Sequence, residues 1–192
     1  MNWISEPLVY FYCARSTAEP ERGNPEEILR SILRQLSCPA PGLSIWEPVQ
    51  RKYMALRYDG CEPRKLTFDE TRKFIVERSK TFSLVTIIID ALNECNPDTR
   101  SDLLDALKEI ALRSEKPVRI LVSGQDDTDL VSQLSDALHV HIREDDNADD
   151  IKRFVEDQVE KSIHKKKLLG GNVPAELKKH LMRTLVDNAQ GM

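Results

Sequence analysis

Long apolar runs are absent from this chain of 192 residues. No segment approaches the roughly 20 consecutive apolar residues that a membrane-spanning helix needs, so we expect no membrane partner. Residues 1–7 also lack the basic start and the apolar core of a secretory signal peptide. A strong charge of one sign is missing too, because the formal net charge is only −4. We therefore expect no nucleic-acid partner.

Cysteine pairs and glycine-rich loops are lacking as well. The four cysteines lie far apart without a Cys-x-x-Cys pair, which argues against a zinc site and a disulfide framework. We therefore expect reducing surroundings and a cytoplasmic location. None of the seven glycines begins the pattern Gly-x-x-x-x-Gly-Lys-Ser/Thr, the loop that cradles nucleotide phosphates.

Apolar segments predict the strands. Leu8–Cys13, Leu84–Asp90 and Arg119–Ser123 are predicted to be buried strands. The unbroken apolar run before Asp90 is typical of a strand that helices cover on both faces. Leu138–Ile142 alternates apolar and polar residues and predicts a fourth strand, half exposed or at a sheet edge.

Helical patterns separate these strands. Asn24-Pro25 caps a helix, Thr67–Glu70 has capping-box spacing, and further helices are predicted for Ser44–Arg57 and Thr99–Arg113. Their inward residues are predicted to be Ile28, Leu29, Ile32, Leu33, Leu36, Phe74, Ile75, Leu103, Leu104, Leu107 and Ile110. Strand and helix alternate, which predicts an α/β fold with a doubly wound, mainly parallel sheet.

The sequence changes character near its end. Asn147 is predicted to cap a helix that buries Ile151, Phe154, Val155 and Val159. Lys165–Gly171 is predicted to be a linker, and Pro174 opens a last helix with Leu177, Leu181 and Leu185. We predict a nucleotide-binding core in residues 1–145 and the start of a helical subdomain in residues 146–192.

Asp90 and Glu94 are the first candidates for chemistry. Ligands of open α/β sheets bind beyond the carboxyl ends of the strands, where Asp90 lies. A carboxylate there is suited to hold magnesium, and Glu94, four residues on, is placed to polarise an attacking water. The alternatives are that Asp90 only caps the next turn and that Glu94 is a solvated loop acid.

Several blocks together resemble a known family. Thr86–Glu94 (TIIIDALNE) looks like the Walker B segment of NACHT-type signalling NTPases, STAND-class P-loop NTPases of filamentous fungi. Leu8–Arg15 and Pro25–Leu36 resemble the strand and helix after the phosphate loop in the nephrocystin-like NACHT group. Arg119–Gln125 is similar to the family's sensor strand. Asp146–Glu160 and Leu185–Met192 are similar to its later segments.

The resemblance implies roles for five residues. Asp90 matches the magnesium-binding Walker B aspartate, and Glu94 matches the distal acid associated with catalysis. Ser123 matches the polar residue near the γ-phosphate. Asn93 stands where the family usually has aspartate and Gln125 where it commonly has arginine, and the resemblance implies that both contact the cofactor. An amide is no base and carries no charge, so both departures weaken the case for hydrolysis.

The missing phosphate loop limits what this chain can bind. In the family the loop precedes the strand matched by Leu8–Cys13, and only seven residues stand before that strand here. The complete domain would use Mg²⁺ with ATP or GTP, whereas this chain is expected to bind neither tightly. If the DNA upstream encodes the loop, Met1 is a misassigned start.

Other constellations are weaker. His139 and His141 share a face of the predicted strand, but the sequence places no third metal ligand beside them. Lys165–Lys167 is read as a solvated linker rather than a phosphate patch. A receiver-like phospho-acceptor role for Asp90 would need an acidic pair after an earlier strand, and Tyr12-Cys13-Ala14 supplies none.

Two functional hypotheses follow. In the first, the chain is part of a NACHT domain in a multidomain protein with ankyrin or WD repeats. Nucleotide would there switch the oligomeric state in signal transduction. In the second, it is a nucleotide-independent interaction module that binds itself or related NACHT proteins. A missing strand and helix would leave an exposed sheet edge and an apolar face, which favour such binding.

Overall fold

The structure is a computed structural model that describes residues 5–40, 42–58, 64–125 and 127–189. They form two compact units, which divide between Ser135 and Asp136. The predicted domain boundary after residue 145 stays a prediction. Cys61 and the last three residues of the segment Leu185–Met192 lie outside the described residues.

The first unit is built on a parallel sheet. β1 (Leu8–Tyr12), β2 (Val85–Asp90) and β3 (Val118–Val122) are ordered β1-β2-β3. Tyr10 lies opposite Ile88, and Ile88 lies opposite Leu121. The carboxyl ends of all three strands therefore lie at the same end of the sheet. The predicted α/β class and the parallel sheet are confirmed.

Five helices complete the first unit: α1 (Pro25–Ser37), α2 (Glu47–Tyr58), α3 (Phe68–Ser79), α4 (Pro97–Arg113) and α5 (Thr128–Gln133). The Asn24 side chain caps α1 by accepting a hydrogen bond from the Glu26 N–H, and Thr67 with Glu70 forms the predicted capping box of α3. These caps satisfy N–H groups that the first turn of a helix leaves free. They confirm both predicted starts.

The start of α4 differs from the prediction. The helix begins at Pro97 rather than at Thr99. The reason is local, because the Asn96 side chain accepts a hydrogen bond from the Asp98 N–H and Pro97 suits the first helical position.

The core lies between one face of the sheet and helices α1, α3 and α4, which pack against one another. Val9, Ile87 and Ile89 point into it from the sheet and are almost fully buried. The helices contribute Ile28, Leu29, Ile32, Leu33, Leu36, Ile75, Leu103, Leu104, Leu107 and Ile110, all predicted to point inward. A fully buried side chain of this size contributes roughly 1.5–3 kcal/mol.

The opposite face of the sheet is bare. Its apolar residues are Leu8, Tyr10, Tyr12, Ile88 and Leu121, and we call this set the bare face. Leu8, Tyr12 and Leu121 are 55–59% exposed. On β2 itself, the residues that point to this side are only partly buried. The helices of the core pack together on one side, so burial along β2 alternates instead of being continuous.

Leu138–Ile142 does not form the predicted fourth strand. Its apolar side chains, Leu138, Val140 and Ile142, are 81–94% exposed. Alternation gives a segment strand propensity, but a strand forms only where a neighbour supplies backbone hydrogen bonds.

The second unit contains α6 (Ala148–His164) and α7 (Ala175–Asp187), which pack against each other. Val159 is buried as predicted, whereas Phe154 is 64% exposed and the prediction that it points inward is wrong. Asn147 occupies the cap position of α6, but its side chain makes no capping hydrogen bond. Among the described helices, none combines the length and the apolar character needed to cross a membrane.

Candidate functional site

The predicted site residues lie where β2 and β3 end. After Asp90 the chain turns sharply, because Ala91 adopts a left-handed conformation (φ 55°) before a 3-10 turn over Leu92–Glu94. A residue with a Cβ atom rarely adopts this conformation, so the surrounding contacts must hold it. The Leu92 N–H donates to the Ser123 carbonyl oxygen at 2.8 Å and joins the turn to the end of β3.

Asp90 and Ser123 form the first pair of the site. The Ser123 hydroxyl donates a hydrogen bond to Oδ1 of Asp90, and the Ala91 N–H donates to the same Ser123 oxygen at 3.3 Å. Oδ2 of Asp90 has no hydrogen bond to a described residue and remains available as a ligand. The two residues that the family resemblance assigns to magnesium and the γ-phosphate are thus brought together.

Asn93 and Gln125 form the second pair. Oδ1 of Asn93 accepts a hydrogen bond from the Gln125 N–H at 3.2 Å. A Cβ at Gly124 would lie 3.1 Å from that same oxygen, so the loop passes close to the amide. The Gln125 side chain is exposed. Asn93 therefore joins the turn after β2 to the loop after β3. This structural role is different from the cofactor contact that the resemblance implies.

Glu94 is held by protein groups on both carboxylate oxygens. Nδ2 of Asn93 donates to Oε1 at 3.1 Å, and the Arg15 N–H donates to Oε2 at 3.3 Å. The Arg15 guanidinium also donates to the Asn93 carbonyl oxygen. In this arrangement Glu94 is restrained, and an attacking water would have to compete for its oxygens.

A wide cleft opens beside Glu94. It has a volume of about 1070 Å³ and lies between the starts of α1, α3 and α4. Arg15, Arg72, Glu94 and Asp102 are among its lining residues, whereas Asp90 and Ser123 are not. Of these two predicted site residues, Glu94 therefore lines the cleft, whereas Asp90 does not.

Asp90 is the residue of this site that could hold a metal ion. Within the described part of the chain, no group of three or more His, Cys, Asp and Glu side chains is placed to hold a metal ion. His139 and His141, whose rings stack, are therefore not part of such a group among the described residues. One free carboxylate oxygen beside a serine hydroxyl fits the way Mg²⁺ binds, which takes one or two protein oxygens and completes its shell with water and phosphate.

Arg100 is a structural residue of the site that sequence reasoning missed. Its side chain is only 4% exposed and pairs with Asp127 at 3.0 Å and Asp129 at 2.9 Å, which fastens the loop after Gln125 to α4. Burial alone would lower the pKa of Arg100, but the hydrogen bonds and charges of the two aspartates outweigh it and raise the pKa. The signal was available in the sequence. Arg100 continues the spacing of the buried Leu103, Leu104 and Leu107.

The buried cysteines are chemically quiet. Burial, with smaller contributions from Cys95 and Asp90, raises the pKa of Cys13 to about 12. Burial also raises the pKa of Cys95. Such thiols stay protonated and unreactive at neutral pH, which agrees with the prediction that Cys13 is a small buried apolar residue.

Taken together, fold and site define an α/β domain whose polar side chains gather beyond the carboxyl ends of a parallel sheet. Residues 3–125 match the family described as nephrocystin 3, N-terminal. The chain belongs to this family, which confirms the nephrocystin-like part of the resemblance.

Comparison with other known proteins adds little. No curated protein matches the chain. Among solved structures it is similar to a Walker-type ATPase of Pyrococcus abyssi, with 14% sequence identity and a TM-score of 0.42. The match covers 99% of this chain and 60% of the ATPase chain. At that TM-score the likeness is too weak to support an argument.

Proposed function

We propose that this chain carries the metal-and-water half of a nucleotide-dependent switch of the NACHT type. The observation that carries the proposal is the pair at the end of the central strand, where Asp90 is oriented by the Ser123 hydroxyl and keeps Oδ2 free. When bound, Mg²⁺ would neutralise phosphate charge. Asp90 and Ser123 are the residues that would hold the ion and its phosphate, with ATP or GTP as the nucleotide.

The phosphate-holding half is not encoded in these 192 residues, because none of their glycines begins a phosphate-binding loop. Both oxygens of Glu94 already accept hydrogen bonds from Asn93 and Arg15. We therefore propose that the chain by itself does not hydrolyse nucleotide appreciably. In its wider setting it would serve signal transduction in a cytoplasmic fungal protein with ankyrin or WD repeats, where nucleotide favours one of two domain arrangements.

The test is a calorimetric titration of the purified full chain with Mg²⁺, Mg-ATP and Mg-GTP, combined with a phosphate-release assay. We expect weak Mg²⁺ binding that Asp90→Ala removes and that Asp149→Ala, a change in the exposed first turn of α6, leaves intact. No phosphate release is expected. Turnover that depends on Asp90 would contradict the proposed inactivity, and Mg²⁺ binding that ignores Asp90 would contradict the proposed metal site.

A second candidate function is a nucleotide-independent interaction module. It is favoured by the bare face, since large exposed apolar patches mark interaction sites. If the purified chain binds a protein partner but does not bind Mg-ATP or Mg-GTP, this second candidate is supported over the first.

A further inference from the structure

The bare face has an ordered arrangement of side chains. The strand register places Tyr10, Ile88 and Leu121 side by side across its middle. Leu8 and Arg119 lie on either side of Thr86 in the row before them. Tyr12 lies beside Asp90 in the row after, and Ser123, directly after β3, contacts Asp90 with its hydroxyl. Apolar groups thus fill the middle, and charges lie at opposite ends.

The two charges of this face lack partners within the described chain. Arg119 is exposed and makes no ion pair with a described residue, and the Asp90 carboxylate accepts only the Ser123 hydroxyl. Arg119 lies near the start of the strands and Asp90 at their end. A surface with a cation at one end and a carboxylate at the other is complementary to a copy of itself turned end for end.

We propose that the bare face is a self-association surface, on which a second copy of this chain packs sheet against sheet with its strands antiparallel. In this dimer a twofold axis runs along the middle row, midway between the two sheets. It sets the middle row against the same row of the second copy, and Leu8 against the partner's Tyr12. Arg119 then faces the partner's Ser123, one strand away from the partner's Asp90. Sheets pack about 10 Å apart, a gap that an arginine side chain can span. The parallel arrangement would instead bury Arg119 against Leu8 with no carboxylate near it.

Pairing at the sheet edge through β1 is blocked by side chains. Gln35 accepts a hydrogen bond from the Tyr10 N–H at 3.1 Å and donates to the Tyr10 carbonyl oxygen at 2.8 Å. The Arg22 guanidinium donates to the Tyr12 carbonyl oxygen. These contacts occupy backbone groups that an added strand would need. Any association through β1 is therefore expected to use its exposed side chains, which belong to the bare face, and not its backbone.

The area of the bare face limits the affinity expected for the dimer. A face of three short strands is small beside the ~800 Å² per partner of stable complexes, so we expect a weak dimer at high protein concentration. The proposal needs no nucleotide; it rests on the second candidate function and not on the first.

Sedimentation velocity of the full chain over a concentration series, without metal or nucleotide, tests the proposal. We expect a monomer–dimer equilibrium that Leu121→Lys abolishes and Leu112→Lys preserves. Leu112 is a matched control, since it is 85% exposed on α4, away from the bare face. Arg119→Glu sets like charges together and is expected to raise the dimer Kd about tenfold. Far-ultraviolet circular dichroism checks that each variant is folded.

Chemical cross-linking tests the geometry. With Cys38 and Cys61 changed to serine, Leu121→Cys is expected to give a covalent dimer with a short bis-maleimide reagent that spans the ~10 Å between the facing sheets, because the twofold axis sets residue 121 against itself. Leu112→Cys is expected to give none. A chain that stays monomeric at every concentration, or a dimer that Leu121→Lys leaves intact, would overturn the proposal. A dimer that forms without the cross-link would overturn the antiparallel arrangement.

Discussion

Asn93 accepts a hydrogen bond from the Gln125 N–H and so ties the turn after β2 to the loop after β3. The same side chain donates from Nδ2 to the Glu94 carboxylate. An amide does both, whereas an ionised aspartate has no donor. The amide at position 93 therefore fits a positioning role that an acid at this position would lose.

We predict that Asn93→Asp destabilises the protein by about 1–2 kcal/mol at neutral pH. The variant loses the donor to Glu94 and sets two carboxylates side by side. Urea unfolding at neutral pH measures the loss. The exposed Asn172→Asp serves as the control, and an equal loss in both variants would contradict the positioning role.

Arg100 leads to a second prediction. Arg100→Met keeps most of the buried volume but leaves Asp127 and Asp129 without their cation. Since both acids retain some access to water, we expect a loss of about 2 kcal/mol, below the cost of stranding a fully buried charge. Arg113→Met, on the same helix with a side chain 70% exposed, is expected to cost less than about 0.5 kcal/mol. Chemical denaturation of both variants makes the comparison. Similar values for both would refute the structural role of Arg100.

Glu70 leads to a prediction on pH. The hydrogen bond from the Thr67 N–H, with help from Lys52, lowers the pKa of Glu70 from 4.5 to about 2. A carboxyl whose pKa is lower in the folded state stabilises the protein above its unfolded pKa and loses that effect as the pH falls. Wild type is therefore expected to exceed Glu70→Gln in stability above pH 4.5, with the gap closing towards pH 2.

Thermal unfolding of both proteins across this range measures the gap. Lys52→Met removes one of the causes and is expected to give a smaller effect of the same sign. A gap between wild type and Glu70→Gln that does not change with pH would show that the Glu70 carboxylate is not specifically stabilised in the folded protein.

Gln35 leads to a prediction on the edge of β1. Gln35→Ala frees the N–H and the carbonyl oxygen of Tyr10, and we expect a loss of about 1 kcal/mol. The Tyr10 amide is expected to exchange with deuterium faster, which nuclear magnetic resonance measures residue by residue. Gln50→Ala, on the exposed face of α2, is the matched control. Unchanged exchange at Tyr10 would show that the side chain does not protect this edge.

Local patterns predicted the local structure well. The caps at Asn24 and Thr67 and the inward leucines of α1 follow from chemistry within a few residues, and the structure confirms them. The apolar run of β2 also predicted its place as a strand of a parallel sheet. The caps and the inward leucines depend on neighbours in the sequence, and the place of β2 followed from its composition and from the alternation of strands and helices.

Features that depend on distant partners were not predicted. Leu138–Ile142 has the alternation of a strand, but alternation does not reveal whether a neighbouring strand is present. Arg100 meets its aspartates 27 and 29 residues further along the chain, and Asn93 meets Gln125 across a gap of 32 residues. The cover of only one sheet face likewise depends on how the helices pack.

The central claim is that Asp90 is a metal ligand, and paramagnetic relaxation by Mn²⁺, a substitute for Mg²⁺, tests it most directly. In the nuclear magnetic resonance spectrum of the full chain, we predict that Mn²⁺ broadens the amide signals of Ala91, Leu92 and Ser123 first. Asp90→Asn should remove this broadening, and excess Mg²⁺ should reverse it. Broadening centred on other carboxylates, or unchanged in Asp90→Asn, would contradict the claim.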